Sequence, residues 1–195
     1  MEPARQVVLI RHGETEWTKS GQHTGRVDKA LTETGRADAE RLRGRLAPLG
    51  FSRVLVSPLS RAKETCALAG LGPRAEERPE LLEWDYGHYE GRTSAQILAE
   101  RPDWSLWRHG CPGGETAVEV GARVDRLLTE LDQMPGSVAL FAHGHVLRVL
   151  AARWVGLPAD SGARLALSTA SLSVLGMERG NRVVWCWNDV SHLQR

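Results

Sequence analysis

The chain is 195 residues long, 42% hydrophobic and 25% charged. This usage is ordinary for one soluble globular domain and excludes a disordered, collagen-like or coiled-coil chain. The 25 basic and 24 acidic side chains leave a net charge of +1 without any basic run, so no nucleic-acid partner is expected.

Residues 7–10 are the first apolar run, too short for a signal-peptide core or a membrane span, and a cytoplasmic protein with no membrane partner is expected. With Gln6 the run reads as a buried strand over residues 6–10, ending in the polar loop Arg11-His12-Gly13-Glu14-Thr15. Thr32 is placed to cap a helix whose apolar face is Gly35, Ala39, Leu42, Leu46 and Leu49, stopped by Pro48 and Gly50. Residues 53–57 form a second short strand, and Pro58 opens a helix carrying Leu59, Ala62, Cys66 and Ala69 on one face. Residues 70–114 are rich in Pro, Gly, Trp and charge, with one short helix near 94–99, and read as a lid-like insertion in a single domain spanning 1–195. Val120, Val124, Leu127, Leu131 and Met134 repeat at helical spacing before Pro135-Gly136. Residues 137–142 make a fully apolar strand running into His143-Gly144-His145, followed by a helix over 146–155. Two strands, 171–177 and 182–187, close the chain around Arg179-Gly180-Asn181.

Strands alternating with helices predict an α/β three-layer sandwich with a mostly parallel central sheet, whose ligands gather at the carboxyl ends of the strands. Three polar clusters fall at strand ends: Arg11-His12-Gly13, residues 57–61, and His143-Gly144-His145. Together they would give one rim two guanidinium groups, at least two imidazoles and glycine-rich backbone. That set suits a dianionic phosphoryl group, because arginine forks pair with its oxygens and an imidazole can attack phosphorus. Each residue alone is uninformative: a single histidine at a strand end is more often structural than catalytic, and the 22 arginines against three lysines can reflect genome composition. Cys66, Cys111 and Cys186 are odd in number and far apart, which argues for free thiols rather than disulfides or a zinc site. The competing metal reading takes His143 and His145 as ligands, with Asp85 or Glu83 as a third. Gly144 between them is explained as well by close approach to phosphate, so no metal and no cofactor is expected.

Five segments in order carry a resemblance. They are Arg11-His12-Gly13-Glu14-Thr15; Ser57 through Arg61-Ala62 to Thr65; Leu81-Leu82-Glu83 through Gly87 to Glu90-Gly91; Pro112-Gly113-Gly114-Glu115-Thr116; and Ala142-His143-Gly144. In these the chain resembles the histidine phosphatase superfamily, with its phosphoglycerate-mutase-like fold. The resemblance implies a phosphomonoester hydrolase in which His12 is the nucleophile that becomes phosphohistidine. It gives Arg11, Arg61 and His143 to the phosphoryl group, makes Glu83 the acid for the leaving alkoxide and then the base for water, and assigns hydrogen bonds to Thr24 and Gly144. Thr18 stands where many members have Asn and is taken as a phosphate contact through its hydroxyl. A carboxyl acid suggests an acidic optimum.

Within the family, mutases carry Arg after the acid-bearing Glu; here Trp84 follows Glu83, and Arg92 is the only cation from 84 to 99. Hydrolysis is therefore expected over phosphoglycerate mutase chemistry. Segments 83–91 and 107–115 look like bacterial broad-specificity acid phosphatases, and 17–25 is similar to the sedoheptulose-1,7-bisphosphatase branch. Small phosphorylated metabolites, sugar phosphates above all, are the implied substrates. Trp84, Tyr86, Trp104 and Trp107 either wall the pocket or form a local core. His23, His88 and His109 are candidates for its mouth, and His192 is expected on the surface. Strand 182–187, with Trp185 and Trp187, suggests a homodimer or a covered sheet edge.

Overall fold

The computed structural model describes residues 5–193. Its elements are strands β1 (Val7–Arg11), β2 (Arg53–Val56), β3 (Ala75–Glu77), β4 (Val138–Ala142), β5 (Leu172–Glu178) and β6 (Asn181–Asp189), with helices α1 (Glu16–Ser20), α2 (Glu33–Leu46), α3 (Ser60–Leu68), α4 (Ser94–Glu100), α5 (Leu106–His109), α6 (Ala117–Gln133) and α7 (Gly144–Trp154). One six-stranded sheet runs β3-β2-β4-β1-β5-β6; the pairs up to β1 are parallel, whereas β5 is antiparallel to β1, and β6 to β5. Period-two alternation explains why strands 7–10 and 138–142 are apolar throughout. Val7, Leu9, Leu140 and Ala142 enter the core shared with α6 and α7, while Val8, Ile10, Ala139 and Phe141 enter the core with Leu42, Leu46, Ala62 and Cys66 of α2 and α3. The chain is thus an α/β sandwich with a mixed, mostly parallel sheet.

Several local readings are corrected. Pro58 and Leu59 lie before α3, which begins at Ser60 with Leu59 as its N-cap. Leu49 leaves the α2 face because residues Ala47–Leu49 tighten into a 3₁₀ turn. β3 is a three-residue edge strand, Ala-Glu-Glu, with no apolar pattern to betray it. Helix α7 starts at Gly144, two residues earlier than its apolar pattern suggests, so His143 occupies the N-cap. His192 is half-buried, its Nε2 2.9 Å from the Ala170 carbonyl, rather than on the surface.

The aromatic residues of segment 70–114 belong to the main core. Trp84, Tyr86, Tyr89 and Trp104 are buried in the same cluster as α6 and α7, with Trp84 meeting Trp107 edge-on at 5.4 Å. Only Tyr86 of the four also reaches the cavity described below. Cys66 and Cys111 are buried free thiols.

Candidate active site

A cavity of about 250 Å³ opens at the carboxyl ends of β1 and β4. The parallel register pairs Arg11 with Ala142, and the His12 N–H donates to the Ala142 carbonyl at 3.0 Å. The residues that follow, His12 and His143, therefore stand side by side, ring centroids 5.1 Å apart. Both are buried. His12 Nδ1 lies 2.7 Å from the Gly13 carbonyl. A carbonyl only accepts, so Nδ1 carries the proton and the Nε2 lone pair is left free. His143 is oriented from both sides: Arg61 Nε donates to its Nδ1 at 3.2 Å, so its Nε2–H donates to Ser57 Oγ at 2.7 Å. Burial first, then the charges of Arg61 and Arg11, holds His12 well below the ordinary imidazole value of 6.5. His143 is likewise held well below it by burial, Arg61 and its histidine neighbour.

The loop carrying His12 is fixed by backbone contacts. Gly13 N–H donates to Thr65 Oγ1 at 3.0 Å, and that hydroxyl donates to the Arg61 carbonyl at 2.7 Å. Gly13 faces the Gly35 carbonyl of α2 so closely that a Cβ would overlap it, and a Cβ on Gly35 would overlap the Glu14 carbonyl.

Arg11 lines the cavity; its Nη1 donates to the Leu167 carbonyl, while its buried Nε has no protein acceptor. Gly144 lies against this guanidinium, and a Cβ there would stand 3.3 Å from Cζ and Nε. Arg61, in contrast, is fully buried, and neither it nor His143 is on the cavity wall. Thr18 and Thr24 are on the wall with occupied hydroxyls: Thr18 Oγ1 donates to the Thr15 carbonyl within a capping box, and Thr24 Oγ1 donates to the Gln22 carbonyl.

Glu83, which also lines the cavity, caps α7. Its carboxylate accepts from the N–H groups of His145 (3.0 Å) and Val146 (2.9 Å), donors that the start of α7 leaves unpaired, and from that of Trp84 (2.9 Å) next to it in the chain. The strap that presents it is held by Arg123, which donates to the carbonyls of Glu80, Leu82 and Glu83 and forms a two-pronged ion pair with Glu115. Burial pushes the Glu115 carboxyl up, but Arg123 prevails and its value is lowered. Arg123 lies on the buried stripe of α6 between Val120 and Val124. A charge on an apolar helix face is the signal that could have found it.

His23, Tyr86, Ser94, His145 and Arg148 also line the cavity; the sequence singles out His23 for the mouth and Tyr86 for the wall, whereas nothing in it points to Ser94 or Arg148. Tyr86 Oη lies 2.6 Å from His145 Nδ1, and burial raises the phenol well above its usual value while lowering His145, so both are neutral. His23, 4.7 Å from Tyr86, is lowered by burial to about 4. Arg148 stacks on Trp107 at 4.7 Å and donates Nε to the Gly162 carbonyl. His88 and His109 are exposed and off the wall. His143 turns to Arg61 and Ser57 while His145 turns to Tyr86, and among the described residues no three His, Cys, Asp or Glu side chains group as metal ligands.

A free imidazole nitrogen, a guanidinium and a carboxyl group around one cavity make a set chemically suited to phosphoryl transfer through histidine. The chain belongs to the histidine phosphatase superfamily (branch 1), which it matches over residues 7–190. It is 44% identical over 182 residues to an acid phosphatase of Mycobacterium tuberculosis, covering 91% of this chain and 89% of the relative. A sedoheptulose 1,7-bisphosphatase of Saccharomyces cerevisiae is 35% identical over 184 residues, covering 77% and 67%. The solved structure of an open reading frame from Mycobacterium tuberculosis superposes with a TM-score of 0.89 at 41% identity, covering 94% of this chain and 97% of that one. The chain is a histidine-phosphatase-type hydrolase of small phosphorylated metabolites. No described helix is long and apolar enough to cross a membrane.

Proposed function

We propose that the chain hydrolyses sugar phosphates through a phosphohistidine on His12, with an acidic optimum. The observation that carries this is the His12 tautomer: Nδ1 is tied to Gly13, which leaves Nε2 on the wall beside Arg11, whose unpaired Nε suits a phosphoryl oxygen. In the first half-reaction Nε2 attacks phosphorus, the N–P bond forms, and the P–O ester bond breaks as Glu83 protonates the leaving alkoxide. In the second, the Glu83 carboxylate takes a proton from water, the hydroxide oxygen attacks phosphorus, and the N–P bond breaks to release phosphate. Arg61 and His143 support the phosphoryl group from the buried side, Arg61 by its charge and His143 by stabilising charge on the phosphoryl oxygens. Thr18, Thr24 and Gly144 shape the wall around it.

The lowered His12 keeps the nucleophile neutral at acid pH. Free phosphate released from a sugar monophosphate is expected to rise from pH 9 towards pH 5, without added bisphosphoglycerate. A flat profile, or a requirement for 2,3-bisphosphoglycerate with no net phosphate release, rejects this reading; the second outcome marks a mutase.

One observation favours a bisphosphate as a second reading. Arg148 supplies from α7 a second guanidinium on the cavity wall, where Arg92 of segment 84–99 does not reach. Arg148→Ala is expected to cut kcat/KM for sugar bisphosphates about 10–100-fold, the worth of one charged hydrogen bond, and for monophosphates much less. Equal losses on both substrates assign Arg148 to general packing instead. A homodimer through β6, where Trp185 is 55% exposed, is the accompanying assembly we propose.

A further inference from the structure

Among the described residues one carboxylate is within ion-pair distance of Arg61, Asp28 at 3.6 Å, and it already accepts from the Ser60 N–H at the start of α3; Glu83 and Glu90 act on the guanidinium through their charge without an ion pair. The other acceptors of Arg61 are neutral carbonyls of the loop that includes Thr24, Gly25 and Val27. The peptide joining Thr24 to Gly25 accepts from Arg61 Nη2 through its carbonyl at 3.0 Å and donates its N–H to Glu90 Oε1 at 2.6 Å. The next peptide repeats the pattern: Gly25 O accepts from Nη2 at 2.9 Å, and the Arg26 N–H donates to Glu90 Oε2 at 3.2 Å. The Val27 carbonyl takes Nη1 at 3.1 Å, and the Val27 N–H also reaches Glu90.

Two consecutive peptide groups therefore lie between a carboxylate and a guanidinium, each with the positive end of its dipole towards Glu90 and the negative end towards Arg61. A peptide dipole is about 3.5 D, and hydrogen bonds in such a chain polarise one another. The arrangement needs glycine at position 25, where a Cβ would overlap Glu90 Oε2 and the Trp84 carbonyl. It ends on His143, because the remaining Arg61 donor, Nε, fixes that ring's tautomer.

We propose that Glu90 is a positioning residue for dephosphorylation: acting through two loop peptides, it holds the Arg61 guanidinium in place and, through Arg61, the His143 ring. The proposal rests on the reading of this cavity as the phosphatase site. Without the charge of Glu90, the loop carbonyls lose the constraint that aims them at Arg61, and displacement of a group beside the reacting centre by about 1 Å costs on the order of 100-fold in rate.

The test is Glu90→Gln, with Glu90→Asp as a second variant too short to reach both N–H groups. Both are expected to lower kcat about 10–100-fold on p-nitrophenyl phosphate and weaken inhibition by inorganic phosphate, with the far-UV spectrum retained. The decisive readout is the ¹⁵N spectrum of the His143 ring in the resting protein. The wild type should show the Nε2–H tautomer, and the variants a shifted Nδ1 signal. This spectrum does not involve turnover, so it stands even if His12 is not the nucleophile. Should neither variant fold, the wild type still decides: the Gly25 amide proton should lie far downfield, as a donor to a carboxylate. An ordinary Gly25 shift, or variants with wild-type kcat, phosphate inhibition and His143 spectrum, overturns the proposal.

Discussion

His12→Ala is expected to lower kcat on p-nitrophenyl phosphate by about 10⁴-fold or more, because it removes the atom that forms the covalent intermediate. Inorganic phosphate should still bind within a few-fold of wild type, since Arg11 keeps its anchor on Leu167 and Glu83 its three backbone donors. The pairing of these outcomes is what matters. A variant that merely unfolded would lose both, and a protein whose nucleophile was a water would keep much of its rate. Rapid quenching of the wild type into alkali, which preserves phosphohistidine, should place one phosphoryl group on His12. Retention of most activity by the variant, or a label on another residue, rejects the mechanism.

Loss of stability in mild acid is the second large effect. His12, His143 and His145 are all held well below 6.5 by burial, and His23 at about 4. In the unfolded chain each imidazole takes up a proton near pH 6.5, whereas in the fold it stays neutral. Below that pH the unfolded state binds more protons, so stability present above 6.5 is lost as pH falls. The slope approaches 1.4 kcal/mol per pH unit for each ring, and four rings together cost roughly 4 kcal/mol between pH 6.5 and 5.5. That is a large part of the 5–15 kcal/mol typical of a domain. Urea midpoints measured at pH 7 and 5.5 should differ accordingly, and saturating inorganic phosphate should restore part of the difference by binding only the folded form. Equal midpoints would show that these rings are not held neutral.

Legibility in the sequence followed physical range. Strand cores β1 and β4, the Thr32 cap and the α6 stripe could be read because each is set by local alternation or capping. Arg11, His12, Glu83 and His143 stand out through their motifs, and the structure brings Arg11, His12 and Glu83 together in the lining of one cavity. Strand direction was not readable for β5, since the same alternating pattern serves parallel and antiparallel neighbours. Arg123, Arg148 and Glu90 escaped for another reason. Each acts through carbonyls or amides distant in the chain, and backbone groups leave no mark in a sequence. Among 22 arginines nothing local separates Arg148 from solvated ones, and Arg123 is marked only by its place on the apolar face of α6.

The contact between Gly13 and Gly35 separates two parts of the cavity by their capacity for change. At His12, main chain meets main chain with no side chain between, so a shift of α2 passes undamped to the imidazole and no rotamer can absorb it. Elsewhere on the wall, Ser94 and Arg148 are side chains on separate elements outside the packed core, each open to exchange with little disturbance of the backbone. Substrate preference can therefore drift by exchanging those walls while the reacting centre stays fixed, which allows one scaffold to serve many phosphate esters.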